Sequence, residues 1–336
     1  MTKPLLSICI PTYNRAKFLP DAIESILNQI TPDIKDMVEI CISDNASTDN
    51  TEEIVKEYQG KNICKIVYHK NEENIGADRN YLKVIEIANG EYCWWLGSDD
   101  ALEDNILEML LNKIKSTKRD FYMLTQNCYD INLENRFQCK HHPLLSYKSD
   151  KLLSLDEILT EAVYLIGYIS VLIVKKNIFL QPMPQEDKYI GSMYIHTYKI
   201  LYALNNGNTM YFIREPMVKW RADNDSFLEE LKVFGRIKID IIGYSSIAKD
   251  IFGENSKEYK KILKIRVINK MLGYILSLKS VNVNRKNIIE LFECLKPFKV
   301  QYLKMYILAS IPIPLFRVIR FVYRYTLKPI KKIEFK

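Results

Sequence analysis

Four apolar segments alternate with three helical patterns in the first hundred residues, and this alternation restricts the fold more than any other feature. The apolar segments are residues 5–11, 38–44, 64–68 and 92–96. The helical patterns, with apolar side chains at three- and four-residue spacing, are residues 17–29, 48–58 and 78–88. Strands that alternate with helices in this way form a doubly wound parallel sheet, so we predict a Rossmann-like α/β fold.

The rest of the chain divides into a mixed part and a helical part. Of the 336 residues, 48% are hydrophobic, which is enough for a large core. Strand patterns continue to residue 220, and from about residue 227 only helical patterns follow. We therefore predict an α/β domain over residues 1–228 and a helical C-terminal extension over residues 229–336.

Polar side chains follow three of the apolar segments at the point where each predicted strand ends. The clusters are Pro11-Thr12-Tyr13-Asn14-Arg15, Ser43-Asp44-Asn45-Ala46-Ser47 and Ser98-Asp99-Asp100. Doubly wound sheets bind ligands outside the carboxyl ends of their strands, so we expect the clusters to meet at one edge. The sequence contains no GxGxxG segment and so lacks the dinucleotide-binding fingerprint.

Asp99 and Asp100 suggest the chemistry of this edge. Carboxylates just past the end of a buried strand are suited to hold Mg²⁺ or Mn²⁺ together with the phosphates of a bound substrate. Such a cation stabilises the negative charge that develops on a diphosphate leaving group. The pair therefore predicts a site for transfer of a group from a nucleoside diphosphate.

Five segments resemble family 2 glycosyltransferases of the GT-A fold in residues, order and spacing. They are Pro11–Arg15, residues 43–51 (SDNASTDNT), 74–80 (NIGADRN), 88–92 (ANGEY) and 98–100 (SDD). The resemblance covers about residues 4–226 and extends to bacterial abequosyltransferase-like enzymes of surface-polysaccharide synthesis. It implies a GT-A sheet, a nucleotide-sugar donor and inverting transfer of the sugar to a saccharide acceptor.

The resemblance also implies where the nucleotide binds. The Pro-x-Tyr-Asn loop and the residues that match the family around it should contact base, ribose or diphosphate. These residues are Pro11, Thr12, Tyr13, Asn14, Arg15, Asp44, Asn45, Arg79 and Ser98. Among them, Asp44 matches the acid that hydrogen-bonds the base, and Arg79 matches a basic residue near the base and diphosphate.

The metal motif departs from the family pattern at its first position. The family carries Asp-x-Asp, whereas this chain has Gly97 in place of the first acid. The resemblance assigns Asp99 as the ligand of Mn²⁺ or Mg²⁺, with Asp100 beside it. Asp223, which aligns with a family histidine, is a further candidate metal ligand.

Two residues compete for the role of the catalytic base. His196 has the register of the family's acid when counted back from Gly207, and an imidazole can accept a hydroxyl proton near neutral pH. Asp187, in the pair Glu186-Asp187, has the expected side chain but lies about ten residues earlier. The sequence leaves both open.

The basic charge of the chain lies at its C-terminus. Residues 299–336 contain nine Lys or Arg and one Glu, whereas the whole chain has a net charge of +7. Arg317, Arg320 and Arg324 share one face of a predicted helix, and Lys328, Lys331, Lys332 and Lys336 follow. This pattern predicts contact with an anionic membrane surface, which suits a lipid-linked saccharide acceptor. We predict no nucleic-acid partner, because the charge is confined to one end without a recognition motif.

The remaining features concern location and alternatives. The chain opens on a strand pattern without a signal peptide, so we expect a cytoplasmic protein, peripheral on the inner face of the membrane. The seven cysteines predict buried, reduced thiols, with residues 139–142 (CKHH) as an alternative metal site. The alternatives to a glycosyltransferase are a nucleotidyltransferase and a catalytically inactive nucleotide- or carbohydrate-binding module.

Overall fold

The computed structural model describes residues 3–137, 143–224 and 226–322 and divides the chain into two compact units, Met1–Asn224 and Asp225–Lys336. The strands of the first unit are β1 (Leu6–Thr12), β2 (Val38–Asp44), β3 (Lys65–Lys70), β4 (Tyr92–Trp95), β5 (Ala101–Leu102), β6 (Phe121–Tyr129), β7 (Arg136–Phe137), β8 (Lys151–Leu153), β9 (Leu172–Lys175) and β10 (Met210–Arg221). Its helices are α1 (Leu19–Leu27), α2 (Thr51–Gly60), α3 (Ala77–Ile87), α4 (Leu107–Thr117), α5 (Leu155–Glu157), α6 (Lys176–Phe179) and α7 (Ile195–Asn205).

The strands of the first unit form one mainly parallel sheet. Its order is β3-β2-β1-β4-β9-β6-β10-β5, with β7 on β6 and β8 on β10. The neighbours from β3 to β4 are parallel, and so are β6 and β10, whereas β9 runs antiparallel between β4 and β6. The predicted α/β fold is confirmed.

The central strands are buried on both faces of the sheet, which explains why their sequences are continuous apolar runs. Every residue of β1, β2 and β4 is buried. Helix α1 contributes its apolar stripe to the core, consisting of Leu19, Ala22, Ile23, Ile26 and Leu27. At the entry to β4, a Cβ on Gly90 would lie 2.6 Å from Ser7 Oγ, so this close approach requires glycine.

Two strand predictions differ from the structure for local reasons. The apolar residues 169–174 predict a strand, but residues 169–171 form a 3₁₀ turn and the strand starts at Leu172. The sequence pattern of residues 210–213 and 217–220 predicts two short strands, but the structure has a single strand, β10, over this range. Its pairing with β6 is irregular between Phe212 and Val218, around Pro216, which has no amide hydrogen for the ladder.

The second unit is helical wherever the structure describes it. Its helices are α8 (Ser226–Phe252), α9 (Lys257–Leu263), α10 (Met271–Ser280), α11 (Arg285–Leu291), α12 (Lys299–Ser310) and α13 (Ile313–Val322). In α8 the backbone leaves the helical conformation at Lys232. Within the described ranges, no helix is long and apolar enough to span a membrane.

The predicted basic face of the tail lies outside the residues whose side chains the structure describes. This applies to Arg317, Arg320 and Arg324 and to Lys328, Lys331, Lys332 and Lys336. The 139–142 segment, the alternative metal site, is also outside the described residues.

The cysteines agree only in part with the prediction of reduced thiols. Cys9, Cys41, Cys64, Cys93 and Cys294 are free. Cys128 is disulfide-bonded, so the prediction is wrong there. Cys128 lies near the end of β6 and is the register partner of Phe137 in the β6–β7 hairpin.

Candidate active site

The carboxyl ends of β1, β2 and β4 meet at one edge of the sheet. Thr12 and Asp44 are register partners at the last position of β1 and β2. On the other side of β1, the amide of Leu96 donates to the carbonyl of Cys9 at 2.9 Å. The Ser98–Asp100 segment follows directly, so the three polar clusters come together as the topology predicts.

Asn14 joins the loop after β1 to the loop after β2. Its backbone is in the left-handed region, with φ of 52°, which asparagine tolerates better than most residues. Its amide donates to Ser47 Oγ at 2.8 Å, and its Oδ1 accepts from the amide of Thr48 at 2.9 Å. Tyr13, beside it, is 45% exposed and presents its ring at the surface.

Asp44 and Asn45 are buried and shape the loops at this edge. Asp44 accepts from the amide of Ser47 at 2.8 Å and from the hydroxyl of Tyr68 at 2.7 Å, one bond on each carboxylate oxygen. Asn45 Nδ2 donates to Asn74 Oδ1 at 2.7 Å. The predicted contact of Asp44 with a base stays a prediction, since this carboxylate is 0% exposed.

Thr12, Arg79 and Ser98 differ in how they meet this edge. Thr12 is 2% exposed, and its Oγ1 has no hydrogen-bond partner among the described residues. Arg79 is exposed on α3, whereas Ser98 is buried. Asn80, next to Arg79, is buried and donates to the carbonyl of Ser43 at 3.0 Å, which fixes α3 against β2.

Asp100 is a buried carboxylate whose oxygens bind groups of the protein. Its Oδ2 accepts from the hydroxyls of Tyr168 and Ser170, each at 2.6 Å. Its Oδ1 accepts from the amide of Arg221 at 3.2 Å. Burial, and then the nearby charge of Asp99, raise the pKa of Asp100 to about 7. Asp100 therefore supports the turn, and the half-buried Asp99 is the carboxylate with access to solvent.

Close packing explains why glycine replaces an acid at position 97. A Cβ there would lie 2.9 Å from Asp100 Oδ2, 3.0 Å from Asp99 Oδ1 and 3.2 Å from Ser170 Oγ. The amide of Gly97 also donates to Ser170 Oγ at 2.9 Å. A Cβ at this position would require the Asp100 carboxylate, and to a smaller extent that of Asp99, to shift, so glycine suits the surroundings of this turn.

Asn224 connects Asp99 to the loop after β1. Its Nδ2 donates to Asp99 Oδ2 at 2.7 Å, and its Oδ1 accepts from Arg15 Nη1 at 3.3 Å. The neighbouring Asp223 is exposed, with φ of 58°. The side-chain amide of Asn224 thus bonds both the guanidinium of Arg15 and the carboxylate of Asp99, the candidate metal ligand.

Arg221 fixes the backbone of the turn that contains Asp99. It is 3% exposed, and its Nε donates to the carbonyl of Asp99 at 2.6 Å. Its Nη2 forms an ion pair with Asp21 of α1 at 2.6 Å, and its Nη1 donates to the carbonyl of Ile131. The guanidinium also lies over the ring of Phe18, 4.8 Å from the centroid. Arg221 thereby joins β10, α1 and the turn.

The residues at this edge fit a metal that is held largely by substrate. Within the described ranges, no group of three or more His, Cys, Asp or Glu side chains forms a ready metal site. Mg²⁺ and Mn²⁺ are commonly held by one or two carboxylates, with phosphates and water as the other ligands. Asp99, beside the second carboxylate of Asp100, matches that requirement.

His196, one of the two candidate bases, is buried in an aromatic environment. It is 1% exposed, and the rings of Tyr81, Trp95 and Tyr194 lie 5.6, 6.2 and 6.2 Å from it. Burial lowers the pKa of His196 to about 4. Its imidazole is therefore neutral at pH 7 but is not at the surface where an acceptor hydroxyl would arrive.

Asp187, the other candidate, is exposed on a short 3₁₀ helix packed against α7. Lys199 of α7 forms an ion pair with Glu186 at 2.5 Å, which fixes this turn. The two candidates therefore lie on adjoining elements, His196 inside and Asp187 outside.

A buried acid ties α7 to α3, the helix that carries Arg79. Asp78 is 1% exposed and accepts from the amides of Met193 at 2.7 Å and Ile195 at 3.1 Å. The start of α7 is thus fixed to the first turn of α3.

Comparison with known proteins decides the family. The sequence profile of Glycosyl transferase family 2 matches residues 7–177. The chain is 36% identical over 264 residues to the abequosyltransferase RfbV of Salmonella typhimurium, covering 75% of this chain and 76% of the relative. The chain belongs to glycosyltransferase family 2.

Other relatives of this glycosyltransferase agree with the assignment. An uncharacterised glycosyltransferase of Methanocaldococcus jannaschii is 30% identical over 69% of this chain and 76% of the relative. The structure of Staphylococcus aureus TarS residues 1–349 in complex with UDP-GlcNAc matches with a TM-score of 0.63, at 16% identity, over 95% of this chain and 91% of that chain. At this identity the structural match shows the fold. The predictions of family, GT-A fold and enzyme class are confirmed.

Several residues that organise the site of the glycosyltransferase escaped sequence reasoning. Ser170 lies in the apolar segment of residues 169–174, which predicts a strand, and Tyr168 directly precedes it. The sequence pattern therefore does not indicate a role in the site for either residue. Asn224 follows Asp223, which aligns with a family histidine, and its polar side chain just past the end of β10 is the available signal. The role of Arg221 is visible only in its contacts with Asp99 and Asp21.

Proposed function

We propose that this glycosyltransferase moves a sugar from a nucleoside diphosphate to a saccharide acceptor in the synthesis of a cell-surface polysaccharide. The observation that carries the proposal is the link from Asp99 through Asn224 to Arg15 at the shared edge of β1, β2 and β4. It sets one carboxylate and one guanidinium where a diphosphate and its cation would lie. The 36% identity to an abequosyltransferase supports the class of product.

The donor is bound by the loops after β1 and β2. Pro11 to Arg15, with the exposed ring of Tyr13, line the base and ribose, and Asp44 and Asn45 hold these loops in place. Arg79 contributes a second positive charge to the diphosphate. The complex of TarS with UDP-GlcNAc supports a nucleotide-sugar donor for this fold.

A divalent cation, Mn²⁺ or Mg²⁺, completes the donor site through Asp99. When bound, it stabilises the negative charge on the departing diphosphate. Asp100 keeps the turn in shape, and Arg221 fixes the carbonyl of Asp99. Asp223, exposed one residue before Asn224, is the third acid that we place near the cation.

The reaction is an inverting, in-line displacement. The acceptor oxygen forms a bond to the anomeric carbon while the bond from that carbon to the diphosphate oxygen breaks. The acceptor hydroxyl transfers its proton to the base. We propose Asp187 for this role, because it is exposed, whereas His196 is buried with a pKa lowered to about 4 by burial.

The acceptor is a saccharide carried on a lipid, and the protein works at the inner face of the cytoplasmic membrane. The positive net charge of the last 38 residues supports attraction to anionic lipids, because this segment contains nine Lys or Arg and one Glu. Membership of glycosyltransferase family 2 argues against both alternatives, the nucleotidyltransferase and the inactive module.

Nucleotide release tests this function. The purified enzyme is incubated with a panel of nucleotide-sugars, an abequosyl donor included, with and without Mn²⁺ and a saccharide acceptor. We expect acceptor-dependent release of nucleoside diphosphate from one donor, and its loss when Mn²⁺ is removed. Release that ignores the acceptor, or transfer of a nucleotidyl group, would contradict the proposal.

A second comparison identifies the base. Asp187→Asn should lower kcat by about a hundredfold or more, because general base catalysis contributes about 10²–10⁴-fold. Asp33→Asn, another exposed acid, is the control and should leave kcat unchanged. A normal kcat for Asp187→Asn would refute its assignment.

A further inference from the structure

Helix α12 is apolar on two opposite faces, and only one of them is covered. Met305 and Ala309 are buried, at 0% and 2% exposed. Val300, Leu303 and Ile307 are 60%, 59% and 55% exposed. Their three- and four-residue spacing places them on one face, which we call the α12 stripe. The other apolar face of α12 is already buried, so an additional exposed apolar stripe is suited to contact a further apolar environment.

Lysines border the α12 stripe on both sides. At 100° per residue, Lys299 falls on one edge of the stripe and Lys304 on the other. Both are exposed. Long lysine side chains at the edges of an apolar face can keep their ammonium groups in water or among lipid phosphates while the face itself is buried.

Helix α13 adds exposed apolar residues next to this helix in the chain. Leu315 and Val318 are 53% and 59% exposed and are three residues apart. The corner between α12 and α13 is fixed by Lys279 of α10, which donates to the carbonyls of Ala309 at 2.9 Å and Ile311 at 2.6 Å. The exposed residues thus belong to ordered helices that are anchored to the helical unit.

We propose that the α12 stripe, together with Leu315 and Val318, docks on the surface of an anionic lipid bilayer. The inference rests on the proposed membrane association and adds a defined apolar contact to the basic tail. Charge selects the occupant. The segment from Lys299 onward carries nine Lys or Arg and one Glu, so two copies facing each other would repel, whereas an anionic bilayer attracts them.

Vesicle sedimentation with the full chain tests the proposal. The probe is a set of phosphatidylcholine vesicles with and without phosphatidylglycerol. Leu303→Gln/Ile307→Gln removes apolar surface without changing charge and should weaken binding to the anionic vesicles by about tenfold or more. Ile63→Gln/Met109→Gln, at two other exposed apolar positions (39% and 37%), is the matched control and should bind like the wild type.

Three results would overturn the proposal. In the first, the stripe variant binds vesicles as well as the wild type does. In the second, the control variant loses as much vesicle binding as the stripe variant. In the third, the wild type is a dimer and the stripe variant, unlike the control, is a monomer. Circular dichroism establishes that each variant is folded. Turnover of a soluble acceptor, measured in parallel, reports on the proposed function by itself. Normal turnover with altered vesicle binding therefore concerns only the docking surface.

Discussion

Replacement of His196 by leucine should remove a specific pH dependence of stability. The imidazole is 1% exposed, and burial lowers its pKa to about 4 from an ordinary value of 6.5. Below pH 6.5 His196 is protonated in the unfolded chain, whereas in the folded protein it is protonated only below about pH 4. The folded pKa is depressed, so the contribution of His196 to stability falls as the pH drops through this window.

The magnitude follows from the two pKa values. Between pH 7.5 and pH 5.0, the difference in proton uptake lowers the free energy of unfolding by about 2 kcal/mol, at 1.36 kcal/mol per pKa unit. Leucine does not titrate, so His196→Leu should lack this part of the loss. The near-complete burial means that solvent screening barely reduces the effect.

Urea unfolding followed by tryptophan fluorescence at the two pH values measures the difference directly. For each protein, the loss of unfolding free energy between pH 7.5 and pH 5.0 is determined, and the losses of the wild type and His196→Leu are compared. A packing defect in the variant that is the same at both pH values cancels in this comparison. An equal loss in both proteins would refute the burial argument. It would also restore His196 as a residue that exchanges protons with solvent and could serve as the base.

Three further substitutions probe the framework of the site. Gly97→Ala should lower kcat by about ten- to a hundredfold in a donor-turnover assay, because its Cβ would displace both following carboxylates, and an unchanged kcat would contradict this packing. Asp78→Asn should lower the free energy of unfolding by about 2–4 kcal/mol in urea, because two charge-assisted hydrogen bonds to amides are weakened; a loss below about 0.5 kcal/mol would argue against the clamp. Arg221→Lys should reduce both stability and kcat, because lysine cannot bond a carbonyl and Asp21 with one planar fork, whereas the exposed Arg214→Lys should change neither.

The parallel core of the sheet could be predicted because its signals are local and agree with one another. Buried parallel strands read as apolar runs, and the topology then dictates which strand ends meet. The ends of β1, β2 and β4 lie together as this topology predicts, with Thr12 beside Asp44.

What could not be predicted depends on contacts between distant segments. Ser170 lies 73 residues from Gly97, yet its hydroxyl accepts from the Gly97 amide and lies 3.2 Å from the position of a Cβ there. Register alone placed His196 at the position of the base, but its exposure depends on three aromatic rings from other parts of the chain. A sequence pattern identifies the position and leaves the environment open.

The role of Asp99 as the metal ligand can be tested through the metal dependence of turnover. Mn²⁺-dependent turnover of the donor is compared for the wild type, Asp99→Asn and Asp104→Asn. Asp104 has a 79% exposed side chain and pairs with Lys219, so it serves as a matched control outside the site. We predict that Asp99→Asn loses turnover by at least about a hundredfold at saturating Mn²⁺, while Asp104→Asn keeps it. Normal Mn²⁺-dependent turnover in Asp99→Asn would contradict the account.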